Sequence, residues 1–196
     1  GVHLLMGGLI RVVIQPNMER LMGDVQEGTL DYALTKPEDS QVLVSVREIR
    51  IWQFVDVVVG LIVVAIAVYQ LQAGLGAWQA LGFGVALLLG GLMIYSFWLM
   101  ITSTAFWVVR VHEIANLFEG IYAAGRWPVS LYPDWLRTGL TFLVPVAFAV
   151  TVPAEALTNR LTLPTLLRAA ALAAGLLVLA RWVWYTGLRR YSGASA

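Results

Sequence analysis

Apolar residues dominate the chain between Val57 and Val109, where more than fifty consecutive positions carry no charged side chain. A helix of a soluble domain needs a polar face, so a soluble fold cannot accommodate this run. A bilayer is crossed by roughly 20 apolar residues, and a polar, glycine-bearing stretch near Gln70–Gln79 divides the run in two. The pattern therefore predicts two membrane spans, Phe54–Leu71 and Ala80–Ile101, joined by a short turn.

Three further apolar stretches extend this pattern. Leu161–Tyr185 is long enough for a last span. Thr138–Val152 is short, is interrupted by Pro145 and is followed by Pro153, so it either crosses as a broken helix or partly re-enters the membrane. Val2–Ile14 is typical of the later part of a span, and we expect Pro16 and Asn17 to end it.

These stretches predict an all-α polytopic membrane protein built as a single domain over residues 1–196. About four full or broken transmembrane helices are visible, together with part of an upstream one. The chain begins with Gly1 and lacks the basic start and cleavage site of a signal peptide. We therefore expect an N-terminally truncated chain with at least one further span before it.

Charged residues concentrate in the segment Met18–Arg50. Within it, apolar side chains recur at helical spacing with charges opposite, which indicates a short amphipathic helix at the surface: Met18, Leu21, Met22 and Val25. Gly28 and the pair Lys36-Pro37 interrupt the segment. A second amphipathic helix is predicted over Arg110–Ala124, where polar residues form a stripe at three-residue spacing.

The distribution of basic residues predicts the orientation. Basic residues occur in Met18–Arg50, in Arg110–Arg137 and in the C-terminal tail, whereas the turn at Gln72–Gln79 has none. The positive-inside rule then places the basic regions on the cytoplasmic side. Net charge is only +1, so the chain offers no basic surface for nucleic acid. The absence of cysteine excludes disulfides, thiolate metal sites and cysteine nucleophiles.

Catalytic motifs are missing from the sequence. A phosphate-binding loop needs a lysine followed by Ser or Thr, and the only lysine, Lys36, precedes Pro37. The two histidines are too far apart for a known zinc motif. Asp56, just inside the first span, raises the hypothesis of an ion or proton site, but contact with water or pairing with Arg50 is the favoured reading. Glu155 similarly fits an interfacial carboxylate better than a translocation path.

Most of the eight tryptophans fall near predicted span ends, where interfacial aromatic residues are common. Trp98 lies deeper and is predicted to be packed inside. The tryptophans therefore indicate an aromatic belt at the membrane surface rather than a stacking platform for a ligand.

The segment Val25–Pro37, which reads VQEGTLDYALTKP, resembles the E-G-x-L-D-x-x-L-x-K-P segment of permeases from type-two ABC exporters. Stretches at Arg126–Pro133, Phe142–Phe148 and Val152–Leu157 resemble the later half of the same family, and Leu188–Ala194 resembles its usual ending. The resemblance covers nearly the whole chain in the right order.

The resemblance implies a transmembrane domain of six spans in which residues 18–50 form the cytoplasmic coupling segment. It assigns contact with the ATPase to the following residues: Glu27, Gly28, Leu30, Asp31, Leu34, Lys36 and Pro37. Two copies of an ABC ATPase subunit would bind ATP and Mg, so this chain itself needs no cofactor. A second permease chain, identical or different, would complete the pathway.

We therefore expect a multi-pass permease of an ATP-driven exporter in a bacterial plasma membrane. Apolar and aromatic walls favour a hydrophobic or amphipathic substrate. Two alternatives remain open. A structural subunit of a membrane assembly needs only packing surfaces, whereas a membrane-embedded enzyme would need ionisable groups at membrane depth, which are scarce here. A neighbouring gene for an ATPase would favour the exporter.

Overall fold

The computed structural model describes residues 1–70, 76–107, 133, 146–158 and 160–191, and these residues form helices, turns, bends and short irregular stretches. We number the α-helices in chain order: α1 Val2–Leu9, α2 Gln15–Glu27, α3 Asp31–Leu34, α4 Ser40–Ser45, α5 Phe54–Gln70, α6 Ala77–Ser103, α7 Val146–Leu157 and α8 Leu163–Leu188. A π-helical turn, Ile10–Ile14, joins α1 to α2. Two 3₁₀ turns, Ile51–Gln53 and Thr104–Phe106, precede α5 and follow α6.

Among the described residues, three helical stretches are long and apolar enough to cross a membrane: Ile51–Gln70, Ala77–Phe106 and Leu163–Leu188. They confirm the three predicted full spans, with ends that differ by a few residues. Their outer faces expose large apolar side chains, among them Leu61, Leu88 and Val178. Such faces suit contact with lipid.

The first helix does not end at Pro16 and Asn17, so that prediction is wrong. The chain stays helical from Val2 to Glu27 because the π turn precedes the proline. Pro16 has no N–H to donate to the carbonyl of Val12 four residues earlier. That carbonyl instead accepts a hydrogen bond from the backbone N–H of Arg50 at 3.0 Å. A residue distant in sequence therefore compensates for the proline.

Helix α1 packs closely against α5 through two glycines. A Cβ on Gly60 would lie 2.6 Å from the Cα of Leu5, and one on Gly8 would lie 2.8 Å from the backbone nitrogen of Val57. Contacts this short leave no room for a side chain, so the two backbones approach more closely than any larger residue would allow.

The predicted end of the short apolar stretch is also corrected. Helix α7 is described from Val146 and runs through Pro153 to Leu157. Its buried residues, Ala149, Val152 and Ala156, follow helical spacing. The helix is stabilised by packing against α6, which outweighs the single hydrogen bond that an internal proline removes. Residues 138–145 lie outside the described part, so crossing and re-entry both stay predictions.

The four glycines of α6, Gly82, Gly84, Gly90 and Gly91, differ in how closely other parts of the chain approach them. A Cβ on Gly90 would lie 2.8 Å from the Cα of Ala149, and one on Gly82 would lie 3.1 Å from Leu161. Gly84 and Gly91 have no atom within 4 Å of a Cβ position among the contacts described. Of the four, Gly90 therefore lies at a close contact with helix α7, and Gly82 lies close to the side chain of Leu161, before α8.

The main core lies where α2 meets the ends of α6 and α8. Met18, Leu21 and Met22 are buried there with Trp98, as the amphipathic pattern and the depth of Trp98 indicate. The apolar face of α2 is therefore covered by protein rather than by lipid. Trp184 was assigned to the aromatic belt, but it is completely buried in this core.

Several predictions fall on residues outside the described part. They concern half of the turn at Gln70–Gln79, the amphipathic helix Arg110–Ala124, nearly all of the resembling stretch Arg126–Pro133, residues 142–145 of the resembling stretch Phe142–Phe148 and the last residues of the tail.

Candidate functional site

The charged segment Met18–Arg50 begins with a helix that stops at a glycine. Gly28 has φ 72° and ψ 16°, a left-handed conformation that glycine adopts without a steric penalty. The carbonyl of Asp24 accepts the backbone N–H groups of Thr29 at 2.9 Å and Leu30 at 3.2 Å. Gly28 therefore turns the chain sharply back at the end of α2.

Helix α3 is a single turn anchored by its apolar side. Leu30 is completely buried, Ala33 is nearly so, and Leu34 packs against the same core as a half-buried side chain. A four-residue helix is not stable by itself, so these apolar contacts hold it in place. Leu30 and Leu34 are thus anchors, because their side chains face the core and not a partner.

The opposite side of this turn is exposed and carries the remaining predicted residues. We define the exposed tip as Glu27, Tyr32 and residues 35–38; Tyr32 is 80% exposed. Lys36 and Pro37 lie within it, while Asp31 is half-buried at the start of α3. Within the described residues, no ion pair engages Glu27 or Lys36. The structure therefore divides the seven predicted residues into inward anchors, a turn and an outward surface.

An ion pair beneath the tip was not singled out from the sequence. Arg47 Nη1 lies 2.7 Å from Asp24 Oδ2, and these side chains are only 21% and 17% exposed. The other carboxylate oxygen of Asp24 accepts the hydroxyl of Thr29 at 3.2 Å. Asp24 therefore joins the end of α2, the glycine turn and the residues before α5.

Asn17 fixes the same residues to the start of α2. Its amide nitrogen donates to the carbonyls of Val13 and Glu48, both at 2.7 Å. Its amide oxygen accepts the backbone N–H of Glu48 at 2.9 Å. The side chain is completely buried, so all three hydrogen bonds form away from water. Together with the Arg50–Val12 hydrogen bond, they dock the segment before α5 onto the π turn.

Charged contacts reinforce this docking. Arg50 lies 2.8 Å from Glu19 and 3.5 Å from Glu48. Burial lowers the pKa of Arg50, but hydrogen bonds with Glu19 and Glu48 outweigh that effect, and the pKa lies above its ordinary value. The guanidinium of Arg50 therefore remains charged at neutral pH.

Asp39 connects the other side of the tip to the last span. Its Oδ1 caps α4 by accepting the N–H groups of Gln41 at 3.0 Å and Val42 at 3.3 Å. Its Oδ2 accepts from Arg181 Nη2 at 2.7 Å and from the hydroxyl of Tyr185 at 3.3 Å. The hydrogen bond from Arg181 lowers the pKa of Asp39 below its ordinary value, although burial opposes the shift.

Helix α4 has further polar contacts with two spans. Tyr95 of α6 lies 2.7 Å from the hydroxyl of Ser45 and accepts from Gln41 at 3.3 Å. On α8, Trp184 Nε1 donates to the hydroxyl of Ser40 at 3.4 Å. The whole segment is therefore attached to α2, α6 and α8 while its tip remains exposed.

Asp56 has a different partner from the one predicted. Its Oδ2 lies 2.8 Å from Nη2 of Arg11 and 3.0 Å from Nε of the same residue. Arg50, the expected partner, is turned towards Glu19 instead. Pairing with Arg11 ties the π turn after α1 to the start of α5, which accounts for Asp56 without an ion-transport role.

Glu155 contributes a backbone group rather than an identified side-chain contact. Its carbonyl accepts the N–H groups of Arg160 at 2.9 Å and Leu161 at 3.1 Å after the end of α7. In the residues that the structure describes, no three His, Asp or Glu side chains converge to hold a metal ion.

Comparison with known proteins was made on three levels. A family model described as ABC-2 family transporter protein matches residues 1–195. Neither the curated proteins nor the solved structures gave a match.

Proposed function

Because this chain belongs to the ABC-2 transporter family, we propose that it is the permease subunit of an ATP-driven exporter and that Met18–Arg50 couples it to the ATPase. The family match covers practically the whole chain, which makes it a membrane transport component. Export as the direction, two ATPase copies and a second permease chain are parts of this proposal. So is the placement of the segment on the cytoplasmic side of a bacterial plasma membrane.

One observation carries the proposal: an exposed tip is held by buried anchors and attached to three helices. A soluble subunit can move membrane spans only through a part that protrudes from the bilayer. Tyr32, at 80% exposure, and Lys36 are available for such a contact, whereas Leu30 is buried beneath them. The seven residues assigned to coupling therefore act as one unit, with some touching the partner and others transmitting its motion.

The proposed mechanism is alternating access. ATP and Mg bind to the partner ATPase, its two copies close, and the tip is pushed sideways. Displacement reaches α1 through the continuous helix that includes α2, and it reaches α8 through Asp39 and Arg181. Two permease halves then rock from an inward-open to an outward-open state. Apolar and aromatic spans favour a hydrophobic or amphipathic substrate.

Site-specific photo-crosslinking tests the contact directly. A photoreactive phenylalanine analogue replaces Tyr32 in the tip or, as the control, Trp52 at the start of α5; Trp52 is 90% exposed. In membranes that contain the ATPase subunit, we expect a crosslink to that subunit from position 32 and none from position 52. Equal crosslinking from both positions, or none from position 32, would contradict docking at the tip.

Charge reversal at Glu27 tests coupling. Glu27 is exposed, so Glu27→Arg should leave insertion and accumulation unchanged. A contact from an acidic residue to a basic partner is worth roughly 0.5–3 kcal/mol, and reversal replaces it by repulsion. We expect transport and transport-linked ATP hydrolysis to fall together. Normal transport would show that the partner docks elsewhere, and failure to accumulate would make the segment a folding element.

A further inference from the structure

An open groove runs along the surface of α8 near its C-terminal end. It has a volume of about 400 Å³ and is lined by residues of this helix: Val178, Arg181, Trp182, Tyr185, Thr186 and Arg189. None of these residues belongs to the exposed tip. The proposed coupling mechanism uses Arg181 only for its contact with Asp39, so the groove itself has no assigned role.

The chemistry of the groove changes steadily along the helix. Its lining residues recur every three or four positions from Val178 to Arg189, a separation of about 16 Å along the helix. Val178 forms the end nearer the middle of the span and is 71% exposed. Trp182 and Tyr185 lie in the centre, and Arg189 lies at the outer end, where α8 stops. Apolar, aromatic and cationic surfaces thus follow one another in the order of a phospholipid's chain, interface and headgroup.

Charge in the groove favours an anion. Arg181 is paired with Asp39 at 2.7 Å, so its charge is largely balanced. Arg189 is exposed, and the described part of the chain gives it no ion pair. Arg189 therefore leaves an unbalanced positive charge at the depth where lipid headgroups lie, and Arg190 beside it adds another.

We propose that this groove binds one anionic phospholipid, with its phosphate at Arg189 and an acyl chain along Val178. Tyr185 and Trp182 contact the glycerol region, where aromatic side chains are favoured. Lipid is the occupant rather than free phosphate, because most of the groove surface is apolar and free phosphate would leave that part uncovered. The inference requires α8 to be a membrane span but is independent of coupling to an ATPase.

Native mass spectrometry of the purified complete permease tests the proposal without an ATPase. The probes are phosphatidylglycerol, phosphatidylcholine and glycerol phosphate, each titrated into detergent-solubilised protein. We compare the wild type with Arg189→Gln and with the matched control Arg168→Gln, which removes an exposed arginine from the opposite end of the same helix. Arg189→Lys tests whether positive charge alone restores binding. Unchanged gel-filtration profiles identify folded variants.

We expect one phosphatidylglycerol to bind in preference to phosphatidylcholine. Loss of one interfacial arginine should weaken this binding about five-fold, while the control and Arg189→Lys retain it. Equal binding of the two lipids, or an equal effect of both Gln variants, would overturn the proposal. Tight binding of glycerol phosphate would assign the site to free phosphate. Protein dimers that exclude lipid unless Arg189 is replaced would show instead that a second copy covers the groove.

Discussion

Asn17→Asp is the sharpest test of how the segment before α5 is held. The two side chains have nearly the same shape, so the change creates no cavity. The wild-type amide donates to the carbonyls of Val13 and Glu48, both at 2.7 Å, inside a fully buried site. A carboxylate cannot donate and would face both carbonyls with negative charge. Only the hydrogen bond from the Glu48 N–H, at 2.9 Å, would remain.

The expected loss follows from these contacts. A lost hydrogen bond costs about 1 kcal/mol, and a buried group left unsatisfied adds about 1–3 kcal/mol. Asn17→Asp should therefore lower the free energy that holds residues 46–50 on α2 by about 2–4 kcal/mol. At 2 kcal/mol, the opened state becomes about 30-fold more populated. Since this segment links the tip to α5, we also expect less transport per ATP hydrolysed.

Hydrogen exchange measures the local effect. Exchange at the backbone amides of Glu48 and Arg50 should accelerate by that factor, because both amides are hydrogen-bonded in the docked state. Gln26→Glu is the control, since it makes the same amide-to-carboxylate change on the exposed face of α2. Exchange that changes no more than in this control would refute the assignment.

The same variant has a pH signature. Burial and two facing carbonyls raise the pKa of the introduced carboxylate in the folded state above its unfolded value. The folded state therefore binds more protons than the unfolded state, and stability relative to wild type should rise as pH falls through the folded pKa. Protonation also restores one donor to the site. A defect that grows on acidification would contradict this account of the Asn17 site.

Three further predictions address packing, electrostatics and orientation. Gly90→Ala should lower the free energy of unfolding by about 1–3 kcal/mol, because the new Cβ would lie 2.8 Å from the backbone of α7. The control Gly91→Ala should be neutral or stabilising, because no atom of the described residues lies near its Cβ position. Equal unfolding midpoints for the two variants would contradict this packing. The pKa of Asp39 is depressed, so the contribution of this carboxylate to folding stability is present above about pH 4 and is lost as pH falls further. The stability difference between wild type and Asp39→Asn should therefore be constant from about pH 8 to 5 and shrink in acid. A stability difference that grows in acid would refute this prediction. Cysteines introduced at Lys36 and Gly76 should be shielded and labelled, respectively, by an impermeant reagent in intact cells, and the reverse pattern would invert the proposed orientation.

The spans were predictable because their signal is local. A long run without charge has few alternatives to crossing a membrane, and two of the three full spans follow from it; the third follows from the length of the apolar stretch Leu161–Tyr185. Helix ends were less predictable. Pro16 looked like a stop, but its effect is offset by the N–H of Arg50, which lies far along the chain. No periodicity in the sequence around Pro16 indicates that distant donor.

In the charged segment too, features set by neighbouring residues were predictable, and contacts with residues far along the chain were not. Spacing predicted the apolar face of α2, and Gly28 was recognised as an interruption because glycine tolerates a left-handed turn. The ion-pair partners of the charged side chains could not be predicted in the same way. Asp39 meets Arg181 only because the tertiary fold brings α4 to α8, and the sequence gives no direct sign of this pairing across the chain. For Asp56 the sequence likewise suggested contact with water or pairing with Arg50, and it gave no sign of the ion pair with Arg11.

The attachments bear on whether the tip could act as a flexible linker. Before the tip, α2 ends in a fixed glycine turn whose Asp24 is bound by Arg47 at 2.7 Å. After the tip, Asp39 caps α4 and holds Arg181. Between these two fixed points, Leu30 is fully buried, so the intervening chain has little freedom to absorb a displacement. A push on the tip must therefore move α2 and α8 together or break at least one of these contacts. An unattached loop would instead bend without moving either helix.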